Sequence, residues 1–331
     1  MSNLLLRKWN DFSGWIVFAI AAFVYGMTIE PTASFWDCPE FISCAEKLQV
    51  GHPPGAPFYM LVGNLFTQFA SDASQVAWLV NFLNALLSAG CILFLFWSIT
   101  RLVRTLIIDD EQNLSTTDVI IVLGSGFVGS LVYTFSDTFW FSAVEGEVYA
   151  FSSFLTALVF WMILRWQDES DSVYGDRWLI LIAYVIGLSI GVHLLNLLCI
   201  PAIVLVFYYQ KYQAISLKGI TAAIAISGLL IILILFVYIP GMAEMGGWFE
   251  LLFVNVFGFP FHTGLIIFLA LTFFVLVGAI YRFRKRMFHT SLWCLLMLTV
   301  GYTTYAVILI RANANTPLNE NAPDNIFTLK S

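Results

Sequence analysis

Long apolar runs, separated by short polar stretches, repeat along almost the whole chain. A helix that crosses a bilayer needs about 20 predominantly apolar residues, so the runs predict about nine spans. The predicted spans are Phe12–Ile29, Val76–Thr100, Val119–Phe135, Tyr149–Trp166, Trp178–Gly191, Leu194–Tyr209, Ile220–Ile239, Gly264–Tyr281 and Leu292–Ile310. The runs are continuous rather than alternating, which favours helices over a transmembrane β-barrel.

The first polar stretch, Pro31–Pro57, is unlike a simple connection between spans. Within it, Pro39–Val50 has one apolar face and predicts a short surface helix. The sequence GHPPGAP over Gly51–Pro57 must end that helix, because it holds three prolines and two glycines. The apolar run Phe58–Ala70 that follows would reach only about 20 Å, against about 30 Å for a bilayer core. We therefore predict a second interfacial helix rather than a span.

The distribution of basic residues supports that choice. With Phe58–Ala70 on the surface, the N-terminus is cytoplasmic and residues 31–75 form a first outer loop. All but three of the fifteen Lys and Arg residues then fall on the inner side; the exceptions are Lys47, Arg311 and Lys330. The opposite choice inverts most of them, against the positive-inside rule.

Composition agrees with this fold class. The chain of 331 residues is 60% hydrophobic and 11% charged, whereas soluble domains carry about 25% charged residues. The net charge of −6 says little about partners, and no basic stretch resembles a nucleic-acid site. The prediction is an all-α polytopic membrane protein with a transmembrane domain over 1–310. The polar tail, 311–331, is either a disordered end or the start of a further outer domain.

The predicted topology collects most acidic residues on the outer face. Asp37 and Glu40 are three residues apart, so a helix that starts at Asp37 would place both carboxylates on one side. Asp37 could act as a base on a substrate, or it could cap the surface helix, because Asp is a favoured N-cap and Pro39 follows. The two roles are compatible.

Two more groups of outer polar residues are candidates for binding. Glu145 and Glu147 lie in an aromatic loop before a span. They either line a pocket or belong to a hydrated loop, in which their negative charges interact favourably with the dipole at the start of the next helix. His193 and Asn196 are one turn apart at a membrane boundary, where a structural role is the main alternative. Glu250 lies in an apolar outer segment between Pro240 and Thr263 that could be another interfacial helix.

Cationic groups on the outer face are the candidates for a phosphate site. The prolines of GHPPGAP are sufficient to form the turn, so the turn does not explain the presence of His52. This histidine could donate a hydrogen bond to a phosphate or orient a carboxylate. His193 is the second candidate. Arg311 is an exception to the positive-inside rule, at the outer end of the last span. Either snorkelling of its side chain to the interface or binding of a lipid-linked phosphate would explain its position.

Several motifs together resemble one family. The chain resembles the GT-C membrane glycosyltransferases, and more closely the bacterial protein O-mannosyltransferase-like proteins. The motifs that carry the resemblance are FWDCPEFI, KLQVGHPPGAP, VEGEVYAF, GWFELLFVN and ANTPLNENAP, and they extend from about residue 10 to the end. In that family the chain usually continues into a soluble outer region, so the resemblance implies that a domain follows Ser331.

The resemblance also implies a function. It implies an inverting transfer of a sugar from a polyprenyl-phosphate donor to a protein or glycan acceptor on the outer face of the bacterial inner membrane. A divalent cation would be optional rather than required. The acidic residue of the first outer loop serves as general base in this family, and here that position is Asp37. Related enzymes have an adjacent Asp-Glu pair, so the separated Glu40 has no assigned role.

Three other functions compete with this one. A transporter or lipid flippase needs charged groups or broken helices near mid-membrane, and the predicted spans are nearly free of charge there. A non-catalytic envelope scaffold would tolerate substitution of the acids. A metal-dependent lipid-phosphate hydrolase needs more clustered ligands than the four histidines of this chain.

Overall fold

A computed structural model of the protein describes residues 3–108, 114–172, 174–212 and 214–330. Met1, Ser2 and Ser331, at the ends of the predicted segments 1–310 and 311–331, lie outside the described residues. In chain order the α-helices are α1 (Asn3–Met27), α2 (Cys38–Lys47), α3 (Pro57–Thr67), α4 (Val76–Ile107), α5 (Thr116–Thr134), α6 (Asp137–Ala143), α7 (Val148–Glu169), α8 (Asp176–Ile190), α9 (Ile200–Lys211), α10 (Leu217–Ile232), α11 (Ile239–Leu251), α12 (Thr263–Arg282), α13 (Arg286–Tyr302), α14 (Ala306–Ala312) and α15 (Ile326–Lys330). Short 3-10 helices cover Ala73–Gln75, Leu194–Cys199 and Thr303–Tyr305, and π-helical turns cover Leu233–Tyr238 and Leu252–Val256.

Within the described residues, eight helical stretches are long and apolar enough to cross a membrane. They are Leu5–Met27, Ala73–Ile107, Thr116–Thr134, Val148–Glu169, Leu194–Lys211, Leu217–Val256, Thr263–Arg282 and Arg286–Ala312. The predicted class, an all-α polytopic membrane protein, is confirmed. One of the nine predicted spans, Trp178–Gly191, has no counterpart among these eight. It corresponds to α8, whose 15 residues reach only about 22 Å at 1.5 Å per residue, less than the thickness of a bilayer core.

A break between two short helices is present where the prolines and glycines of Gly51–Pro57 predicted it. Helix α2 ends at Lys47, residues 48–56 are not helical, and α3 begins at Pro57. Helix α3 has 11 residues, which is about 17 Å and too short to span a bilayer core.

The stretch between Pro240 and Thr263 was expected to be an outer loop that could contain another interfacial helix. It is not a loop as far as Val256, because helix continues to that residue. The proline does not end the helix. Instead, the N–H of Ile239 donates to the carbonyl of Ile234, five residues back, in the π-helical turn. A π turn accommodates the bond that proline removes from a regular helix.

By its internal contacts the chain divides into two compact units. The first unit comprises Met1–Glu46 and Tyr59–Arg165, and the second comprises Lys47–Phe58 and Trp166–Ser331. In the first unit α4 packs between α1 and α5. Its core includes Val17, Ala21, Tyr25, Ala89, Ile92 and Phe96. The Tyr25 hydroxyl donates to the Thr134 carbonyl at 2.9 Å and so joins α1 to the end of α5.

In the second unit α8 packs closely on α13. A methyl group at Gly187 would lie 2.3 Å from the carbonyl oxygen of Leu298, and one at Gly301 would lie 2.5 Å from the nitrogen of Leu188. Glycine is therefore needed on both helices for this approach, as is common between membrane helices. Within the same unit, Val50 pairs with Asn319 of the polar tail in an isolated bridge.

An ion pair joins the first turns of α8 and α13. The Nε and Nη2 atoms of Arg286 donate to the Asp176 carboxylate at 2.9 Å each, and the Thr290 hydroxyl donates to it at 2.8 Å. Hydrogen bonds from Arg286 hold the pKa of Asp176 below its usual value. A carboxylate with a depressed pKa stabilises the fold above its unfolded pKa of about 3.9, and this contribution is lost as the pH falls through the folded value.

We therefore expect Asp176→Asn to lower the melting temperature at neutral pH and to matter less in acid. The difference between wild type and variant should be constant above about pH 5 and should shrink below about pH 4. Thermal unfolding of the protein in detergent between pH 3 and pH 7 measures it. Asp171→Asn, which removes an exposed carboxylate nearby, controls for the change in net charge. Parallel curves for wild type and Asp176→Asn would contradict the prediction.

Candidate active site

Asp37 stands at the N-terminal end of α2, in the first unit. Its carbonyl accepts a hydrogen bond from the N–H of Phe41 at 2.9 Å, the first bond of the helix. Pro39 follows in the first turn, where its missing N–H costs no helical bond. Asp37 thus occupies the predicted capping position, and its side chain is exposed.

Glu40 shares this end of α2 with Asp37. One carboxylate oxygen of Asp37 lies within 4.8 Å of one of Glu40. Asp37 is exposed and Glu40 is half-buried, so a substrate arriving from solvent can reach Asp37. A carboxylate that approaches a hydroxyl within hydrogen-bonding distance can remove its proton. The arrangement fits Asp37 as a base with Glu40 as its neighbour.

Glu145 and Glu147 lie in the short connection between α6 and α7, and they are only 7% and 6% exposed. The hydrated-loop interpretation does not fit this burial. The carboxylate of Glu147 accepts a hydrogen bond from the N–H of Val148 at 3.2 Å, at the start of α7. Its other oxygen lies 3.9 Å from the Cys38 sulfur, which donates to it.

Cys38 directly follows Asp37 and is buried. Burial raises the pKa of its thiol, and the nearby carboxylates of Glu145 and Glu147 raise it further. The raised pKa keeps the thiol protonated, so it acts as a hydrogen-bond donor. It is not suited to be a nucleophile, because a nucleophilic cysteine needs a lowered pKa.

Asn81, in α4, holds the segment that leads to Asp37. This Asp37 segment is defined as residues 28–37. The Asn81 side chain donates to the carbonyls of Glu30 and Thr32 at 2.6 and 2.9 Å. The N–H of Glu30 donates to the Val144 carbonyl at 3.1 Å, so the segment is also joined to the connection between α6 and α7.

Asn84, one helical turn after Asn81, holds that connection, which we call the Glu145 segment (residues 144–147). Its side-chain nitrogen donates to the carbonyls of Glu145 and Glu147, the second at 2.8 Å. The Tyr59 hydroxyl, from α3, donates to the Asn84 side-chain oxygen at 3.4 Å. Asp37, Glu145 and Glu147 are thus carried by segments of the first unit that α4 helps to hold, and Glu40 follows Asp37 in α2.

The sequence prediction missed Asn81, Asn84 and Tyr59. A signal was present, because two asparagines one turn apart interrupt an apolar run in VNFLNA. Polar side chains inside a membrane helix are costly unless they bond within the protein. Their partners are backbone carbonyls 49 to 63 residues away in sequence, which no local pattern reveals.

Arg311 fastens the segment Lys47–Phe58 within the second unit. Its Nε donates to the Leu48 carbonyl at 2.6 Å, and its Nη2 donates to the Lys47 carbonyl at 2.9 Å. Arg311 was predicted as a donor-phosphate ligand, and the bonds that it makes here are structural. His52 is half-buried in the same segment, and its carbonyl accepts from the N–H of Gly55 at 2.8 Å.

His193 directly precedes a 3-10 helix of the second unit, Leu194–Cys199, and Asn196 lies within that helix. The Nδ1 atom of His193 accepts a hydrogen bond from the N–H of Leu195 at 3.1 Å, so His193 caps this helix. Burial lowers its pKa, which favours the neutral imidazole and weakens the case for a cation at a phosphate. Asn196 is completely buried, and its amide makes no hydrogen bond within the described part of the chain.

The second unit also contains a cavity of about 830 Å³. Pro240, Tyr302, Tyr305 and Ile308 are among its apolar and aromatic lining residues, and Glu320 is among the polar ones. The volume is within the range of about 300–1,000 Å³ that small-molecule sites occupy. The cavity can therefore accept a ligand with a substantial apolar part.

Comparisons with known proteins bear on this geometry. Residues 37–216, more than half of the 331 residues, match the family described as the protein O-mannosyl-transferase TMEM260 N-terminal domain. The match begins at Asp37 and includes α2 and the Glu145 segment. The resemblance to O-mannosyltransferases that the motifs indicated is confirmed. No solved structure matches the chain.

Two curated relatives carry the same name. The protein O-mannosyl-transferase tmem260 of Dictyostelium discoideum is 23% identical over 148 residues, which is 44% of this chain and 16% of the relative. The protein O-mannosyl-transferase TMEM260 of Mus musculus is 26% identical over 205 residues, which is 61% of this chain and 27% of the relative. The matched part of this chain thus spans about a quarter or less of each relative.

Proposed function

The chain belongs to the protein O-mannosyl-transferase TMEM260 N-terminal domain family, and from that premise we propose that it is a membrane glycosyltransferase. The proposed donor is a hexose, such as mannose, linked to polyprenyl phosphate, and the proposed acceptor is a hydroxyl of a protein or envelope glycan. The observation that carries this proposal is the exposed carboxylate of Asp37, beside Glu40, at the first residue of the family match.

In the proposed reaction Asp37 is the general base. Its carboxylate takes the proton of the acceptor hydroxyl as that oxygen attacks the anomeric carbon of the sugar. The bond from the anomeric carbon to the phosphate oxygen breaks, and polyprenyl phosphate leaves. Attack opposite to the leaving group inverts the configuration. Glu40 would orient the acceptor or Asp37.

The leaving phosphate needs hydrogen-bond donors or positive charge in the transition state. We propose His52, His193 and Arg311 for this role, and Glu145, Glu147 and Asn196 for contacts to the sugar or acceptor. A guanidinium has five N–H donors, so a phosphate contact by Arg311 is compatible with its two bonds to loop carbonyls. The neutral state favoured for His193 makes it a hydrogen-bond donor through Nε2 rather than a cation.

Two observations support a lipid-linked donor. The protein is a multi-pass membrane protein, and the apolar cavity of the second unit has room for part of a lipid chain. We propose a cytoplasmic N-terminus, because most basic residues then lie on the inner side of the membrane. The proposed site then faces outward, which is the periplasmic side if the membrane is a bacterial inner membrane.

The test is sugar transfer by the purified chain in liposomes. A panel of radiolabelled polyprenyl-phosphate sugars is offered with envelope proteins and with glycans as acceptors, in the presence and absence of a chelator of divalent cations. We expect labelled product from at least one donor. Loss of product with the chelator would make the optional cation a required one. If no donor gives product, the scaffold function replaces the proposal, and movement of the donor across the bilayer without product would indicate a transporter.

A further inference from the structure

Asn81 and Asn84, two side chains of α4, each donate two hydrogen bonds to backbone carbonyls. Asn81 and Asn84 are both 0% exposed. A carboxamide nitrogen carries two N–H groups. In Asn81 the nitrogen bonds the carbonyls of Glu30 and Thr32. In Asn84 it bonds two other carbonyls, both in the Glu145 segment.

Only a carboxamide suits these positions. The targets are carbonyl oxygens, so the side chain must donate, and two donors must come from one uncharged group inside an apolar helix. An aspartate at either position would present lone pairs to both carbonyls. A serine would offer one donor in place of two. Leucine would remove a donor from two carbonyls, and each buried carbonyl left without any partner costs about 1–3 kcal/mol.

The two asparagines hold different segments on successive turns of one helix. Asn81 binds the Asp37 segment, and Asn84 binds the Glu145 segment. The segments are also joined directly through the N–H of Glu30 and the carbonyl of Val144. The spacing of the two asparagines along α4 therefore fixes where the base-bearing segment stands relative to the buried carboxylates.

We infer that Asn81 and Asn84 are positioning residues for the transfer reaction. They act on the reacting groups through the backbone of the two segments and touch no substrate. The inference rests on the proposed function for its catalytic consequence. A displacement of about 1 Å of a reacting group costs up to about a hundredfold in rate, so loss of either asparagine should lower kcat more than it changes KM.

Asn84 and Asn81 differ in one respect that the test can use. The side-chain oxygen of Asn84 accepts from Tyr59. The oxygen of Asn81 has no hydrogen-bond partner in the described part of the chain, and a methyl group on Gly146 would lie 3.0 Å from it. The same methyl group would lie 3.0 Å from Cγ1 of Ile42, so Gly146→Ala would crowd both neighbours and displace the Glu145 segment while both asparagines remain in place.

The first measurement is hydrogen exchange of the full chain in lipid nanodiscs, read by mass spectrometry. Asn81→Asp should speed exchange over residues 28–37, and Asn84→Asp should speed it over 144–147. Ser88→Ala is the matched control, because Ser88 is buried one turn further along α4 and its hydroxyl makes no hydrogen bond among the described residues. Its exchange pattern should equal that of the wild type. Unchanged exchange in both aspartate variants would overturn the inference.

The second measurement is transfer kinetics, normalised to folded protein. Both aspartate variants should lose roughly tenfold to a hundredfold in kcat, with KM for the acceptor within about threefold. Asn84→Gln keeps the two donors and should recover part of the loss. A loss that only follows the unfolded fraction, or no recovery with glutamine, would contradict a positioning role.

Variants that fail to fold do not end the test. Gly146→Ala keeps both carboxamides, and it should alter exchange over 144–147 and lower kcat in the same way. If the wild type transfers sugar from no donor, the proposed function fails, and the exchange data alone decide whether the asparagines hold the two segments. A wild type that transfers sugar, with aspartate variants of unchanged kcat, would overturn the inference and leave the proposed function standing.

Discussion

Asp37→Asn is expected to abolish sugar transfer while the protein still folds and inserts into membranes. Asparagine has almost the same shape as aspartate, but its amide cannot take the proton of the attacking hydroxyl. General-base catalysis contributes about 10²–10⁴-fold, so the remaining rate should fall near or below detection. The Asp37 side chain is exposed, and surface substitutions of this kind usually change the free energy of unfolding by less than about 0.5 kcal/mol.

Product formation from the active donor, with melting temperature measured on the same preparation, tests this expectation. Glu46→Gln is the matched control, because it removes a carboxylate from the same helix outside the proposed machinery, and it should keep full activity. Glu40→Gln separates the roles of the pair and should retain more activity than Asp37→Asn. Full transfer by a folded Asp37→Asn protein would remove the central claim.

Glu250→Ala is expected to lower the free energy of unfolding by roughly 3 kcal/mol, because two backbone N–H groups near the start of α12 would lose their partner. Glu250 is 2% exposed. Its carboxylate accepts from the N–H of His262 and, at 2.9 Å, from the N–H of Leu265. His262 has a positive φ of 70°, a conformation that costs energy in a non-glycine residue and that the carboxylate helps to hold.

Unfolding in mixed micelles, followed by tryptophan fluorescence, measures the loss. Glu250→Gln keeps one oxygen acceptor and should fall between wild type and Glu250→Ala. Glu244→Ala, an exposed position of the same helix α11, should change the free energy of unfolding by less than about 0.5 kcal/mol. If Glu250→Ala is as stable as Glu244→Ala, the carboxylate does not support the start of α12.

The two short helices α2 and α3, and the break between them, could be predicted because their signals are local. The cluster of proline and glycine in GHPPGAP ends α2, and a run that is too short to span reappears as α3. Asp37 could be placed at the helix start because a cap is read from the residues next to it. These elements depend on neighbours within a few positions, and such neighbours are visible in the sequence.

Other features depend on distant partners or on length. The preceding span was expected to end at Ile239, but a π turn continues the helix past Pro240. The run Trp178–Gly191 was predicted as a span, and the helix there has nearly these bounds, but its 15 residues are too few to cross a bilayer core. Arg311 reaches a carbonyl 263 residues away, and no periodicity of the sequence records such a bond.

The division of the chain into two units has a practical consequence for dissecting the protein. The chain passes from one unit to the other after Glu46, after Phe58 and after Arg165. A fragment that stops at Arg165 would keep Lys47–Phe58 but would lack Arg311 and Gly191, whose hydrogen bonds hold that segment. A single truncation point therefore cannot separate the two units cleanly, because a cut after Arg165 leaves part of the second unit attached to the first. Mapping the activity calls for point substitutions rather than deletion.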